Sequence, residues 1–131
     1  MSCASCHDLG KGGVDGRARS PGLNNGMSDV NTSTVFNAAL NLRQFWNGCA
    51  DSLETQLHHA VQNPVELGSN WQEVVQKVSR DDCSQGAFAA ACKNGIPKLN
   101  IQNAIATCVL ERPCHASRTL VNYGTITTPC A

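Results

Sequence analysis

Aromatic residues and net charge are both scarce in this sequence. Only 5% of its 131 residues are aromatic, and 10 Lys plus Arg balance 10 Asp plus Glu, so the formal net charge is zero. With no excess of positive charge, nothing in the composition suggests a nucleic-acid or anionic-membrane partner. No hydrophobic run is long enough to span a bilayer. We therefore expect no nucleic-acid partner and no membrane span. A core with so few aromatic side chains lacks apolar bulk, and a bound apolar cofactor would supply it.

Cysteine is plentiful by contrast, and the first two cysteines stand in a motif. Cys3, Cys6 and His7 form the CxxCH signature of haem c attachment. The two thiols bond to the haem vinyl groups, and the imidazole binds the iron as its proximal ligand. The alternatives are a zinc half-site and a redox dithiol. Tetrahedral zinc needs four ligands and no second CxxC occurs, whereas a redox dithiol does not need the His. The motif predicts one covalent haem c, with His7 on its iron.

Six of the 8 Cys lie outside the motif, and the sequence alone does not determine how they pair. Cys92 and Cys108 fall within apolar helical patterns, so we interpret them as buried small hydrophobic residues. No secretion signal precedes Cys3, although haem c is normally attached after export. We therefore expect a fragment, or a chain trimmed at its N-terminus.

The hydrophobic pattern predicts an all-α chain. Residues 8–34 are rich in Gly, Asn, Ser and Asp, which predicts a long loop around the haem edge. Apolar residues at helical spacing, bounded by capping and stop signals, then predict five short helices: from Thr34 to Gly48, over about 51–61, over about 70–79, over 87–93, and from Asn100 to Pro113. The sequence thus predicts a cytochrome c-like domain of four to five short helices around a covalent haem over 1–112. Residues 113–131 are predicted to form an irregular C-terminal tail.

Three stretches carry a family resemblance: SCASCHDLGKGGVDG, TVFNAALNLRQFWNG and DSLETQLHHAVQNPVEL. Through them, residues 2 to about 80 resemble the N-terminal haem domain of bacterial di-haem cytochrome c peroxidases. In that family the N-terminal haem reacts with hydrogen peroxide, and electrons enter through a haem in a second domain. The resemblance implies a periplasmic peroxidase that reduces hydrogen peroxide to water with electrons from a small redox protein. The second haem domain, with its own CxxCH, is missing from this sequence.

The resemblance also assigns site residues. Gln56 and Glu66 match a Gln and a Glu of the family's distal pocket. Cleavage of the peroxide O–O bond needs a base that takes a proton and returns it to the leaving oxygen, and a neutral amide beside it orients the peroxide. The alternatives are an exposed helix residue for Gln56 and a solvated loop charge for Glu66. Trp46 matches a Trp on the electron route between the two haems; with no second haem in the chain, we expect it to serve packing.

The sequence departs from the family at the sixth position of the iron. Leu23 stands where many relatives have a His that closes the resting iron, and because Leu cannot bind iron we expect an open site. Met27 lies close by and is the alternative sixth ligand. Asn37 matches an Asn that helps to hold an interdomain calcium ion. We expect no calcium in this chain, because the other ligands belong to the second domain.

Two alternatives to a peroxidase domain stay open. One is a mono-haem electron-transfer cytochrome c, whose six-coordinate iron would carry Met27 or a His. The other is an inactive fragment that lacks its second haem domain. His58 and His59 are adjacent on a predicted helix, so at most one of them faces the haem, and we expect surface positions for both.

Overall fold

The computed structural model describes residues 1–110, and its second half consists of helices. The described part contains four α-helices: α1 (Leu53–Gln62), α2 (Trp71–Arg80), α3 (Asp82–Ala91) and α4 (Lys98–Leu110). The chain before α1 is irregular, with four 3-10 turns and two isolated β-bridges, and no β-strand forms among the described residues. The all-α fold class is therefore confirmed. The predicted tail, 113–131, lies outside the described residues.

The predicted first helix, between Thr34 and Gly48, is wrong. Only Ala38–Leu40 forms a single 3-10 turn. Asn37 and Phe45 have φ values of 57° and 63°, in the left-handed region that an α-helix cannot contain. The buried Gln44 donates its backbone N–H to the carbonyl oxygen of Ala50 (2.8 Å), and its side chain donates to a carbonyl of the 3-10 turn (2.9 Å). These bonds satisfy the backbone without a helix.

The helices predicted over about 51–61 and about 70–79 form close to the predicted bounds, as α1 and α2, and a side chain caps the start of each. The side chain of Ser52 accepts from the backbone N–H of Thr55 at the start of α1 (3.1 Å). Asn70 accepts in the same way from Glu73 at the start of α2 (3.0 Å). The helix predicted over 87–93 begins earlier, at Asp82, and the last helix begins at Lys98.

The core lies where α1, α2 and α4 meet. Val61, Trp71 and Ile101, one from each helix, are its buried members. Burial of such a side chain stabilises the fold by about 1.5–3 kcal/mol. Gln102 of α4 is also buried and donates to the carbonyl oxygen of Glu54, which joins α4 to α1 (2.9 Å). This packing fixes the position of α1, whose C-terminal end borders the candidate site.

The two cysteines predicted to be buried differ from each other. Cys92 is buried, as predicted, but it is disulfide-bonded. Cys108 is exposed and its thiol is free, so its predicted burial is wrong. Cys108 has the spacing of the apolar residues of α4. That spacing does not indicate how much of the length of a helix is covered by neighbouring elements.

No helix within residues 1–110 has the length and apolar character needed to cross a membrane.

Candidate haem-binding site

The CxxCH motif folds into one tight turn. Cys3–Ser5 forms a 3-10 turn, and the backbone N–H groups of Cys6 and His7 both donate to the carbonyl oxygen of Cys3 (3.2 and 2.9 Å). The Cys3 and Cys6 thiols are both free. A single turn therefore presents two thiols and an imidazole, which is the donor set that covalent haem c requires.

The imidazole of His7 is held by a second residue. Its Nδ1 lies 3.1 Å from the carbonyl oxygen of Gly13. A carbonyl accepts only, so Nδ1 carries the proton and Nε2 keeps a free lone pair for iron. Gly13 has φ 78°, and a Cβ there would lie 3.0 Å from both Thr34 Oγ1 and Val35 Cγ2. The position of His7 thus suits a proximal ligand of the haem iron. Only glycine fits at position 13, because any other residue would bring a Cβ too close to Thr34 and Val35.

The loop after the motif packs onto the turn that follows α1. Leu23 donates its backbone N–H to the carbonyl oxygen of Val65 (2.8 Å), and its Cδ1 would lie 2.7 Å from a Cβ on Gly68. The Cys6 thiol lies 3.9 Å from the carbonyl oxygen of Pro21, just before Leu23. Leu23 is therefore a packing residue that joins the haem-attachment segment to this turn.

A cavity of about 410 Å³ opens beside that turn. Its lining includes Met27, Trp46, His59, Asn63 and Glu66. The lining combines a carboxylate, an amide and an imidazole with apolar side chains, a mixture typical of small-molecule sites.

Glu66 lines the cavity and belongs to the turn after α1, on which the loop after the haem motif packs. Its Oε1 accepts a hydrogen bond from Asn63 Nδ2 (2.8 Å). Burial raises the pKa of the Cys6 thiol, and the negative charges of Asp15 and Glu66 raise it further. The geometric link is a backbone hydrogen bond: Glu66 follows Val65, whose carbonyl oxygen accepts from the N–H of Leu23 in the loop after the haem motif. Cys3, Cys6 and His7 themselves are not among the residues that line the cavity.

His58 and His59 diverge, as adjacent helical residues must. The His59 ring lines the cavity and stands edge-on to Phe45, with 6.1 Å between ring centroids. His58 turns to the core, where its Nδ1 accepts a hydrogen bond from Trp71 Nε1 (2.7 Å). Burial lowers the pKa of His58, and the neighbouring Lys98 and His59 charges lower it further.

Comparison with known proteins identifies the family of this chain. Residues 1–118 match the sequence model of the di-haem cytochrome c peroxidases. This chain belongs to that family. It is 39% identical over 107 residues to a cytochrome c peroxidase of Escherichia coli, which covers 81% of this chain and 23% of the relative. It is 42% identical over 98 residues to a cytochrome c551 peroxidase of Pseudomonas aeruginosa, covering 75% of this chain and 27% of the relative. The chain thus spans about a quarter of the length of these curated relatives.

A solved structure shows the same fold. The crystal structure of a MauG-like protein associated with microbial copper homeostasis matches with a TM-score of 0.78, over 87% of this chain and 35% of that chain. Sequence identity is 24%, so this likeness speaks for the fold alone. The cytochrome c-like architecture is thereby confirmed.

The other predicted site residues lie in different surroundings. Gln56 is half-buried on α1 and lies outside the cavity lining, so the structure does not bring it to Glu66 there. Trp46 lines the cavity and is 65% exposed, so its expected role in core packing is wrong. Met27 also lines the cavity, 48% exposed. The catalytic roles of Gln56 and Glu66 and the ligand role of Met27 stay predictions.

Sequence reasoning missed Asn63, which lines the cavity and bonds to Glu66. A signal was present, since Asn followed by Pro favours a turn, and this Asn comes three residues before the predicted base. Cys49 was missed as well; it is an exposed free thiol on the cavity wall.

Proposed function

We propose that this chain is the peroxidatic haem c domain of a periplasmic di-haem cytochrome c peroxidase. Hydrogen peroxide takes up two electrons and two protons and yields two molecules of water. The electrons come from a small redox protein, by way of a second haem domain. The observation that carries the proposal is the Glu66 carboxylate, which lines a cavity beside the turn on which the loop after the CxxCH motif packs. Family membership and relatives named cytochrome c peroxidase support it.

Each residue has a distinct task in this proposal. Haem c, when bound, supplies the redox-active iron at which the O–O bond is cleaved. Cys3 and Cys6 would hold the porphyrin, and Nε2 of His7 would bind the iron. The Glu66 carboxylate would take a proton from one peroxide oxygen and return it to the other, so that this second oxygen could leave as water. Gln56 would orient the peroxide through its amide, which requires its side chain to turn toward the cavity.

A second candidate function rests on Met27. Its thioether side chain lines the same cavity as Glu66. A Met sulfur on the iron is typical of electron-carrier cytochromes c, and it would close the position that peroxide needs. In that case the chain would be a mono-haem electron-transfer cytochrome.

The substitution Glu66→Gln tests the peroxidase proposal. Gln has nearly the same size and still accepts the hydrogen bond from Asn63, but it cannot take up the proton. We expect oxidation of the haem by hydrogen peroxide, followed by stopped-flow absorbance, to slow by about 100- to 10,000-fold. Glu73→Gln is the matched control, since the Glu73 carboxylate bonds to Ser69 at the start of α2, outside the cavity lining. Equal rates for the two variants would rule out Glu66 as the proton shuttle.

A further inference from the structure

The turn after α1 is organised around one residue, Asn63. The backbone N–H of Asn63 donates to the carbonyl oxygen of His59 and ends the helix (2.9 Å). Its own carbonyl accepts from the N–H groups of Glu66 and Gly68 (3.0 and 2.9 Å). Its Oδ1 accepts from the N–H of Val65 (3.0 Å), and its Nδ2 donates to Glu66 Oε1 (2.8 Å).

The orientation of the Asn63 amide follows from its neighbours. The backbone N–H of Val65 is a donor only, so it must meet Oδ1. Nδ2 therefore faces Glu66, and the bond that fixes the turn also fixes the direction of the donor. Among the described residues, the Glu66 carboxylate accepts one hydrogen bond, and it comes from Asn63. Such a bond is strong when the carboxylate is ionised, because the acceptor is charged.

We propose that Asn63 is the positioning residue of Glu66, holding Oε1 so that Oε2 is directed to the substrate. The inference rests on the proposed function, since it assigns to Asn63 the placement of the proposed proton shuttle. A shuttle that receives and returns one proton must keep hydrogen-bond reach to both peroxide oxygens. Glu has three rotatable side-chain bonds, so an untethered carboxylate would spend most of its time in unproductive positions.

The two halves of the Asn63 amide can be tested separately. Asn63→Asp keeps the Oδ1 acceptor for Val65, but it replaces the donor that faces Glu66 with a second carboxylate oxygen. We expect peroxide-driven oxidation of the haem to slow by about 10- to 100-fold, the scale of a misplacement of about 1 Å. In the Glu66→Gln background the same change should cost no further rate. Asn70→Asp is the matched control, because Asp caps a helix as well as Asn and should leave the rate unchanged.

A spectroscopic measurement tests the contact without turnover. In the ¹⁵N-labelled, ferrous, carbon monoxide-bound chain, which is diamagnetic, the side-chain amide resonance of Asn63 should shift in Glu66→Gln. The amide resonance of Asn70 should not shift. An Asn63 resonance unmoved by Glu66→Gln would overturn the inference. This measurement leaves Asn63 itself unchanged, so it decides the matter even if the Asn63→Asp chain fails to fold.

The outcomes separate the two proposals. If Glu66→Gln reacts with peroxide at the wild-type rate, the proposed function fails and the positioning role fails with it. If Glu66→Gln is slow but Asn63→Asp is as fast as wild type, the proposed function stands and the positioning role is refuted. If Asn63→Asp slows the reaction equally with and without Glu66, its effect does not pass through Glu66, and the inference is again wrong.

Discussion

Replacing Gly22 with Ala tests whether the loop after the haem motif is docked on the turn that carries Glu66. A Cβ at Gly22 would overlap the carbonyl oxygen of Val65 and lie 2.7 Å from Val65 Cγ1. The backbone at Gly22 has φ −114° and ψ −168°, which Ala adopts freely. The cost of the substitution is therefore steric, not torsional.

The expected cost follows from two contributions. The loop must move away from Val65, which breaks the 2.8 Å hydrogen bond between the Leu23 N–H and the Val65 carbonyl. Overpacking costs about 1–3 kcal/mol and a lost hydrogen bond about 0.5–1.5 kcal/mol. We therefore expect Gly22→Ala to lower the free energy of unfolding by about 1.5–4.5 kcal/mol, a large share of the roughly 5–15 kcal/mol of a typical domain.

Urea unfolding followed by far-ultraviolet circular dichroism measures this difference. Gly86→Ala is the matched control, because it lies within α3 and its added Cβ would meet nothing within 4 Å. Ala favours a helix over Gly by about 0.5–1 kcal/mol, so the control should be more stable than wild type. Surface substitutions usually change the free energy of unfolding by no more than about 0.5 kcal/mol. If Gly22→Ala changes it by no more than that, the loop is not docked on Val65 as described.

The remaining predictions concern the helical core. The pKa of His58 is lowered in the folded chain, so the unfolded chain binds a proton more readily, and stability should fall as pH drops below the ordinary histidine value of 6.5. The thermal unfolding temperature should show a smaller drop with falling pH in His58→Gln, and an identical pH dependence would contradict the lowered pKa of His58. Ile101→Ala, at a side chain only 3% exposed, should cost about 2–5 kcal/mol of unfolding free energy in urea. Ile105→Ala, at a side chain that is 37% exposed, should lower the free energy of unfolding clearly less. Equal losses for the two variants would contradict the assignment of Ile101 to the core.

Much of the helical fold could be predicted from local signals. The helices over 51–61 and 70–79 were predictable because apolar spacing and a capping signal agree in each. The segment between Thr34 and Gly48 has apolar spacing too, but its backbone adopts left-handed conformations at Asn37 and Phe45. Hydrogen bonds of Gln44 with Ala38 and Ala50 override the helical pattern there, and apolar spacing does not predict such bonds.

The candidate site was partly predictable for a similar reason. The spacing of Cys3, Cys6 and His7 encodes their chemistry directly, because all three lie in one turn. The position of Glu66 came from a family resemblance, and the structure places it on the cavity wall. The role of Asn63 could not be read from spacing, since it depends on which end of its amide meets Val65 in the folded turn.

The optical absorption spectrum of the oxidised chain, produced in cells that attach haem c, tests the central claim most directly. The claim is that Cys3, Cys6 and His7 hold a haem c whose distal side is open to peroxide beside Glu66. It predicts a Soret band that stays with the protein after acid–acetone extraction, together with a high-spin charge-transfer band. A methionine–iron band near the red edge would show Met27 on the iron and contradict the peroxidase account. A chain without Soret absorption would contradict the haem site itself.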